Sequence, residues 1–446
     1  MHQRMDPQTA PISHGATHRA AKPAPRHRSR HGTGASRGTV SVLVKNFQYG
    51  GTQRVLLRLA NKLHDYGYGV QVVCAASGPL EATLHDGIAR IHLEPGRRFF
   101  ARGLALRANP AGARHLLLPL VLPLHPVKAL PLLAPLARYL KETPPNVLIS
   151  GTASLNVITT LAKRLAQAPT ALVLTEHVTT DQRRITDRRL ARRFLPELMR
   201  RTYRDADAIV GVSNGVANDL RELLQVPVER VRCIYNPAVP DNVNSLAGAP
   251  VAHRWFDVDQ PPVILSAGRA GRLKDFSMLV RAFARLRHEY PVRLVILSSA
   301  APGSIQRRHL DELRALAVEL RVAPDFEILD FTANPFAYMA RAGVFASSSA
   351  SEGFGNVVAE ALACGCPVVS TRTNGPVEVL DNGRYGRIVP VGDVGAMAAA
   401  LRATLSEPRN SPEFVMRAAA FSEERAARAY EALCGEVSEA HQSLSV

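Results

Sequence analysis

Residues 351–370 have the sequence Ser-Glu-Gly-Phe-Gly-Asn-Val-Val-Ala-Glu-Ala-Leu-Ala-Cys-Gly-Cys-Pro-Val-Val-Ser. A glycine-rich turn follows the first carboxylate, Glu352, and an apolar helical pattern contains the second, Glu360. A Cys-Gly-Cys-Pro break then leads to a β-branched strand, so the stretch predicts a turn, a helix and a buried strand in succession. The amides at the start of such a helix bind phosphates, and carboxylates bind sugar hydroxyls. A nucleotide sugar has both kinds of group, which makes this stretch a candidate binding site.

Short apolar strands alternate with helical patterns on both sides of that stretch. The predicted strands cover residues 39–44, 69–74, 88–93, 147–149, 172–175 and 208–212 in the first half, and 262–268, 294–297, 326–329, 343–346 and 367–370 in the second. Strands that alternate with helices in this way form parallel sheets covered on both faces. The sequence therefore predicts an α/β protein with two such sheets.

The alternation breaks at a proline- and asparagine-rich segment, which divides the chain. Ser422 is the predicted N-cap of a final helix, and this helix is a candidate to cross back to the first domain. The predicted divisions are a disordered basic tail at 1–38, a first domain at 39–240, a linker at 241–260, a second domain at 261–410 and the C-terminal helix at 411–446.

The composition limits the classes of partner. The chain has 446 residues, 46% of them hydrophobic, with a formal charge of +17 and a pI near 10.2. This charge favours phosphate-rich partners, namely nucleic acid, an anionic membrane surface or phosphorylated substrates. The five cysteines have neither metal-site nor disulfide-framework spacing, and the N-terminal tail lacks the apolar core of a secretory signal. We therefore expect a reducing, cytoplasmic location.

A second candidate site follows the first strand of the second half, in Ser-Ala-Gly-Arg-Ala-Gly-Arg-Leu-Lys-Asp-Phe (266–276). Flexible glycines surround Arg269 and Lys274, which are five positions apart. Arginine can grip a diphosphate with its planar fork, and lysine adds a point charge. The two could neutralise a departing nucleotide without a metal, and the alternative is a solvated basic loop. The two glutamates in the same half favour the binding site.

The second half resembles the nucleotide-sugar domain of the retaining GT-B glycosyltransferases of family GT4. The basic loop matches a Gly-Arg-Leu segment with a lysine five residues after its arginine, and the two glutamates match a Glu-x7-Glu motif. Further matches are residues 334–342 and 360–371, and, in the first half, Gly50-Gly51, Thr175-Glu-His, Ser213-Asn-Gly-Val and Tyr235-Asn-Pro. The resemblance covers roughly residues 39 to 435. It implies a GT-B fold, in which two Rossmann-like, doubly wound domains face a cleft.

The resemblance implies a role for each matched residue. Arg269 and Lys274 would hold the donor diphosphate. Glu360 would bond the ribose hydroxyls, and Glu352 would contact the transferred sugar. His177 would lie in the cleft near the sugar, the alternative being a structural histidine with satisfied hydrogen bonds. The implied donor-binding residues are Gly50, Gly51, Arg269, Lys274, Glu352, Gly353, Phe354, Gly355, Asn356 and Glu360, and the implied catalytic residues are His177, Arg269, Lys274 and Glu352.

Two segments depart from the family pattern. Asp330 stands where a glycine is common, and the segment that contains Arg372 is short. Both lie near the expected base or sugar pocket, so the identity of the donor stays open.

Two other segments are candidates for contact with an anionic membrane surface. Residues 116–140 are apolar but rich in proline, so a kinked helix on the sheet is favoured over a membrane-spanning one. The run from Arg183 to Arg204 combines arginines with an apolar stripe formed by Leu190, Phe194 and Leu198. That pattern is typical of an interfacial helix, and the alternative is an ordinary solvated face.

We expect a retaining transferase that moves a hexose or N-acetylhexosamine from a nucleoside-diphosphate sugar, with a UDP-sugar as the expected donor. The expected acceptor is a glycan or a lipid-linked glycan in cell-surface polysaccharide or glycolipid synthesis, and no cofactor or metal is expected. One alternative is a GT-B-fold epimerase or a non-catalytic protein that binds nucleotide sugars. Another is a basic nucleic-acid-binding protein, although the sequence contains no recognisable nucleic-acid motif and only one tryptophan.

Overall fold

The computed structural model describes residues 37–108, 127–180, 182–183, 189–330, 332–408 and 412–443. Four predicted segments have positions outside the described residues: 1–36 of the basic tail, 116–126 of the proline-rich stretch, 184–188 of the arginine-rich run, and 411 and 444–446 of the C-terminal segment. The predictions made for those positions stay predictions.

The first sheet is parallel and its strands are mostly continuous apolar runs. Its strands are β1 (Thr39–Leu43), β2 (Gly69–Cys74), β3 (Ala89–His92), β4 (Val147–Gly151), β5 (Ala171–Glu176), β6 (Ala208–Gly211) and β7 (Val231–Cys233). Their spatial order is β3-β2-β1-β4-β5-β6-β7. In β1, Val42 pairs with Val72 of β2 on one side and with Ile149 of β4 on the other. Strand β7 was not predicted, because only Val231 of its three residues is buried.

Helices cover both faces of this sheet, as parallel strands require. They are α1 (Gly51–Asp65), α2 (Arg98–Ala108), α3 (Leu133–Glu142), α4 (Ala153–Ala166), α5 (Arg189–Thr202) and α6 (Asn214–Leu224). The predicted apolar face of α1 is buried, with Leu56, Leu59 and Leu63 all in the core. The first half is therefore the doubly wound unit that the sequence predicts.

The second sheet repeats this architecture. Its strands are β8 (Val263–Ala267), β9 (Arg293–Leu297), β10 (Phe326–Leu329), β11 (Val344–Ser347), β12 (Val368–Thr371) and β13 (Arg387–Val389), in the order β10-β9-β8-β11-β12-β13. The helices are α7 (Val243–Gly248), α8 (Phe276–Arg287), α9 (Ile305–Glu319), α10 (Phe336–Arg341), α11 (Asn356–Ala363), α12 (Asn374–Val379), α13 (Val394–Leu405) and α14 (Pro412–Ala418). The turn, helix and strand predicted from residues 351–370 are the turn before α11, α11 itself and β12.

The chain crosses from the first half to the second near Val239 and returns near Phe421, and these two crossings lie side by side. The amides of Ala238 and Val239 donate to the carbonyl oxygen of Phe421 at 3.1 and 3.0 Å. The last helix, α15 (Glu423–Ser443), begins just after the second crossing, and the hydroxyl of Ser422 accepts the N–H of Arg425 at 3.3 Å. Helix α15 contributes to the core of the first sheet through Ala427, Tyr430, Leu433 and Cys434. The final helix therefore packs on the first half of the chain.

The segment predicted as a linker contains packed structure. Trp255 and Phe256 are buried, and the side-chain nitrogen Nδ2 of Asn334 donates to the carbonyl oxygen of Leu246, in α7, at 2.8 Å. These contacts hold residues 243–256 against the second half.

The two segments offered as membrane contacts pack inward where they are described. Leu198 of the arginine-rich run is 2% exposed, and Leu195 and Met199 are buried beside it. In the proline-rich stretch, the core includes Leu130, Leu132, Leu133, Leu136 and Leu140. These leucines are not available to a membrane, because they cover the sheet. Among the described residues, no helix is long and apolar enough to cross a bilayer.

Candidate active site

The candidate site lies where loops from the carboxyl ends of the two sheets meet, the place where open α/β sheets bind ligands. The first half contributes the turn after β1, with Gly50 and Gly51, and the segment after β5, with His177. The second half contributes the basic loop after β8 and the turn between β11 and α11. Contacts between these loops bring most of the predicted residues together.

Lys274 and Glu352 form an ion pair at the centre of the site. The ammonium nitrogen Nζ lies 2.6 Å from Oε2 of the carboxylate, and each side chain is 20% exposed. The hydroxyl of Ser348 donates to the carbonyl oxygen of Lys274 at 2.8 Å, which fixes the loop against β11. A side chain at Gly268 would place its Cβ 2.8 Å from Cε of Lys274, so glycine makes room for the lysine. The ion pair and the Ser348 contact fix the position of the Lys274 ammonium group in the cleft.

Arg269 connects the basic loop to the first half. Its Nη2 donates to the carbonyl oxygen of Tyr49 at 3.0 Å. A Cβ on Gly50 would lie 3.4 Å from that nitrogen, and a Cβ on Gly51 would lie 3.3 Å from Nδ2 of Asn356. The absence of side chains therefore allows the Gly50-Gly51 turn to approach both the cation and the start of α11.

Glu360 points from the middle of α11 toward α1 of the first half. Its carboxylate is 5% exposed and lies 3.9 Å from the guanidinium of Arg54. Arg58, one turn further along α1, donates to the carbonyl oxygens of Pro237 and Ala238 at 3.1 and 2.7 Å. Burial lowers the pKa of Arg58, although the charge of Glu360 opposes that shift. The predicted contact of Glu360 with a ribose would thus form at the boundary between α1 and α11, and it stays a prediction.

The turn before α11 is shaped by close contact with the first half. A Cβ on Gly353 would lie 2.3 Å from the carbonyl oxygen of His177, and the carbonyl oxygen of Gly353 accepts the hydroxyl of Ser213 at 2.6 Å. Gly355 has a φ of +86° at the N-cap of α11, a conformation that glycine adopts without strain. The side-chain oxygen of Asn356 accepts a hydrogen bond from the side-chain nitrogen Nδ2 of Asn236 at 2.9 Å.

The side chain of Phe354 is buried, so its predicted place among the donor-binding residues depends on its backbone. Its ring is 2% exposed and packs against Tyr235 and Phe421, with ring centroids 5.8 and 5.4 Å away. The side chain is therefore part of the aromatic contact at the crossings between the halves. Only the backbone of Phe354 remains available to a donor.

His177 lies at the carboxyl edge of the first sheet, with Nε2 3.2 Å from the hydroxyl of Thr175. Burial lowers its pKa to about 4, so the imidazole is neutral near pH 7. A neutral ring can exchange hydrogen bonds with a sugar but adds no positive charge to the site.

A buried polar network behind His177 was missed by sequence reasoning. The carboxylate of Glu176 is fully buried and accepts hydrogen bonds from Asn156, at 3.0 Å, and from Tyr203. Arg183 forms an ion pair with the same carboxylate at 2.5 Å. Burial, together with the charge of Glu176, raises the pKa of Tyr203. These residues are too far apart in the sequence for any local pattern to predict the network.

A carboxylate of the second half caps a helix of the first half, which was also missed. The amide of Asn214, at the start of α6, lies 3.0 and 2.9 Å from the two carboxylate oxygens of Glu378 in α12. Negative charge is stabilising at a helix N-terminus. A Cβ on Gly215 would lie 2.8 Å from Cβ of Asn374, so the two helices meet closely at this edge of the cleft.

The two segments that depart from the family pattern are exposed at Asp330 and Arg372. The amide of Arg372 donates to the carbonyl oxygen of Val389 at 2.7 Å, so its backbone continues β12. Their influence on the choice of donor stays a prediction. Among the described residues, no three side chains of His, Cys, Asp or Glu come together as a metal site would require.

Two doubly wound sheets, with cations and carboxylates where their loops meet, agree with the family that the sequence resembles. Two family models match the chain. The model described as Glycosyltransferase Family 4 matches residues 49–242, and the model described as Glycosyl transferases group 1 matches residues 261–407. The chain belongs to the GT4-type glycosyltransferases and has the GT-B fold. The predictions of family and fold are confirmed.

Similar proteins include an enzyme of Campylobacter jejuni, N-acetylgalactosamine-N,N'-diacetylbacillosaminyl-diphospho-undecaprenol 4-alpha-N-acetylgalactosaminyltransferase. It is 33% identical over 221 residues, which are 49% of this chain and 56% of that protein. The lipopolysaccharide core biosynthesis glycosyltransferase LpsE of Rhizobium meliloti is 31% identical over 46% of this chain and 56% of its own length. The chain thus matches a little over half of the length of these relatives.

Among solved structures, HepE of Anabaena, in complex with UDP and glucose, superposes with a TM-score of 0.64. The superposition covers 92% of this chain and 98% of HepE at 18% sequence identity. At that identity, the likeness supports the fold alone.

Proposed function

We propose that this protein is a retaining glycosyltransferase. In this proposal it moves a hexose or N-acetylhexosamine from a nucleoside-diphosphate sugar, with UDP as the nucleotide, to a glycan or lipid-linked acceptor in cell-surface polysaccharide or glycolipid synthesis. The observation that carries the proposal is the ion pair of Lys274 and Glu352, with Arg269 nearby in the same loop, at the meeting of the two sheets. This arrangement places two cations and a carboxylate in one cleft.

The cations act on the leaving group. As the bond between sugar and diphosphate breaks, negative charge develops on the phosphate oxygens, and Arg269 and Lys274 stabilise that charge electrostatically. Lys274 can exchange its contact with Glu352 for one with phosphate. The freed carboxylate then faces the transferred sugar, where positive charge develops on an oxocarbenium-like centre.

The acceptor needs a base, and the leaving phosphate supplies it. The acceptor hydroxyl attacks on the face that the diphosphate leaves and gives its proton to a phosphate oxygen, so the configuration at the anomeric carbon is retained. His177 is neutral and positions hydroxyl groups without taking part in charge balance. Two side-chain cations suffice for the diphosphate, so we propose that transfer proceeds without a metal, which full activity in a chelator would support.

The nucleotide and the acceptor are proposed from the relatives. HepE was solved with UDP and glucose, and the name of the Campylobacter enzyme specifies a diphospho-undecaprenol acceptor. The name of the Rhizobium enzyme specifies lipopolysaccharide core synthesis. A cytoplasmic location, at the inner face of the membrane, is part of the same proposal, and all five cysteines are free thiols in the structure.

Thermal unfolding with a panel of nucleotide sugars tests the donor. A ligand that binds only the folded protein raises its stability, so we expect UDP-sugars to raise the melting temperature more than GDP- or ADP-sugars. Equal shifts for all nucleotides would contradict the choice of UDP.

Product analysis with the preferred donor tests the reaction. We expect a glycoside with the anomeric configuration of the donor to form when a lipid-linked or glycan acceptor is present. An epimerised donor would identify the epimerase alternative. Binding of the donor with neither transfer nor hydrolysis would identify a non-catalytic binding protein, and either outcome would overturn the proposal.

A further inference from the structure

Two phenylalanines at the start of helix α2 are exposed to solvent. The side chains of Phe99 and Phe100 are 78% and 65% exposed, and their rings contact each other edge to face with centroids 6.1 Å apart. The opposite face of α2 is buried through Ala101 and Ala105. The helix is therefore fixed to the protein by small residues while it presents two large apolar rings outward.

Positive charge surrounds this aromatic pair. Arg97 and Arg98 precede it and are exposed, and Arg102 and Arg107 follow it in the same helix. In the sequence, no acidic residue occurs between Glu94 and Glu142. Two exposed aromatic rings flanked by arginines are complementary to a bilayer that contains anionic lipids. The rings can enter the boundary of the acyl chains, while the guanidinium groups bind the anionic head groups.

The pair also lies at the edge of the first sheet where the candidate site is. Helix α2 follows the carboxyl end of β3, and the amide of Gly96 donates to the carbonyl oxygen of Pro131 at 2.9 Å. The amide of Ala129 donates to the hydroxyl of Ser154 at 3.0 Å, in the first turn of α4. That turn directly follows Gly151, where an added Cβ would lie 3.4 Å from Nε2 of His177. These contacts connect the segment before α2 to the loop that precedes α3, and that loop to the first turn of α4, at the same edge of the sheet as His177.

We propose that Phe99 and Phe100, together with Arg97 and Arg98, form a docking surface for an anionic lipid bilayer. This surface is distinct from the two stretches that the sequence suggested, whose described leucines are buried. Docking at this edge turns the first half of the cleft toward the membrane. That consequence rests on the proposed lipid-linked acceptor, whereas the docking itself requires neither donor nor acceptor.

Sedimentation with lipid vesicles tests the surface in the full-length chain. We expect the protein to bind vesicles of phosphatidylcholine mixed with phosphatidylglycerol, and not vesicles of phosphatidylcholine alone. Phe99→Ser with Phe100→Ser should weaken binding at least about tenfold. Replacing Arg97 and Arg98 by glutamine should weaken it about fivefold for each arginine, and added salt should weaken it further.

Val258→Ser is the matched control, because Val258 is 99% exposed and lies outside α2. It should bind vesicles as the native chain does, and all variants should keep the native melting temperature, since the replaced side chains are exposed. Native binding by the double phenylalanine variant would overturn the proposal. A change of oligomeric state in that variant would also overturn it, since it would assign the surface to a protein contact.

Tryptophan fluorescence of a Phe100→Trp variant tests insertion into the bilayer independently of sedimentation. The only tryptophan of the chain, Trp255, is buried, so the emission of a Phe100→Trp variant reports mainly on the new side chain. We expect its emission to shift to shorter wavelength with anionic vesicles and to be quenched by lipids brominated in the acyl chain. Emission that does not change with saturating anionic vesicles would contradict insertion. These experiments use no sugar nucleotide, so failure of docking and failure of the proposed transfer are distinguishable.

Discussion

The two sides of the cleft differ in how they contribute to the site. The second half supplies charge, through Arg269, Lys274 and Glu352, from loops that follow neighbouring strands. The first half supplies mainly backbone and a neutral group, through the Gly50-Gly51 turn and a histidine whose pKa is lowered to about 4, and its Arg54 lies 3.9 Å from the carboxylate of Glu360. The difference suggests a division of labour in which one half handles the diphosphate and the other shapes the space for the acceptor.

The largest expected effect comes from removing charge on the second half. Lys274→Ala should lower kcat by about 10²–10³-fold, the usual loss when one preorganised donor to a developing charge is removed. The effect on stability should be at most about 1 kcal/mol, because the ion pair with Glu352 is partly solvated. Steady-state transfer kinetics and thermal unfolding measure the two effects. Lys141→Ala, on the exposed end of α3, is the control and should be neutral.

Substitution of Gly353 tests whether the two halves must touch. Gly353→Ala puts a Cβ 2.3 Å from the carbonyl oxygen of His177, so the turn and the first half must separate. We expect a loss of about 1–3 kcal/mol in the free energy of unfolding and a decrease in kcat/KM of at least about tenfold. Gly271→Ala is the matched control in the basic loop, because no atom of the described residues, apart from Gly271 itself and its chain neighbours, lies within 4 Å of the added Cβ. Equal behaviour of the two variants would contradict the contact.

Neutralising Glu378 tests the helix cap that joins the halves. Glu378→Gln should lower the free energy of unfolding by about 0.3–1 kcal/mol, the usual effect of a charge at a helix terminus, and high salt should reduce the difference. Glu222→Gln, on the same helix α6 but exposed near its other end, is the control and should not destabilise. Chemical denaturation at two salt concentrations measures both variants.

Near pH 7 the smallest effect concerns the neutral histidine of the first half, because its contribution to stability changes mainly below about pH 6.5. Its pKa is about 4 in the folded protein and near 6.5 in the unfolded chain. Between these values the unfolded state binds more protons, so the free energy of unfolding should fall as the pH is lowered from about 6.5 toward 4. His177→Gln should remove part of that slope in denaturation curves measured across this range. An unchanged slope would contradict a buried, neutral His177.

The sequence predicted the charged side of the cleft better than the neutral side, for physical reasons. Lys274 and Glu352 lie in short loops that follow buried strands, and parallel strands bring their carboxyl ends to one edge, so the two motifs that carry the family resemblance in this half also meet in space. The same logic predicted both sheets and most of their strands. Short strands such as β7 were not predicted, because three residues of which only one is buried leave no periodic signal.

Features built from distant residues could not be predicted. Glu176 meets Asn156, Arg183 and Tyr203 only in the folded chain, and the motif gave no sign that Phe354 would be buried at the crossings. The exposure of the Phe99–Phe100 pair depends on which face of α2 packs against the protein, whereas Leu198, at the end of the predicted apolar stripe, packs inward. Amphipathic patterns indicate that one face is covered, but they do not say whether protein or lipid covers it.

Calorimetric titration with UDP tests the central claim most directly, namely that the cationic loop of the second half holds the donor diphosphate. The native protein and the Lys141→Ala control should bind UDP with the same Kd, and Lys274→Ala should bind at least about tenfold more weakly, since charge-assisted hydrogen bonds contribute about 1.5–3 kcal/mol each. An unchanged Kd in a correctly folded Lys274→Ala variant would contradict the account.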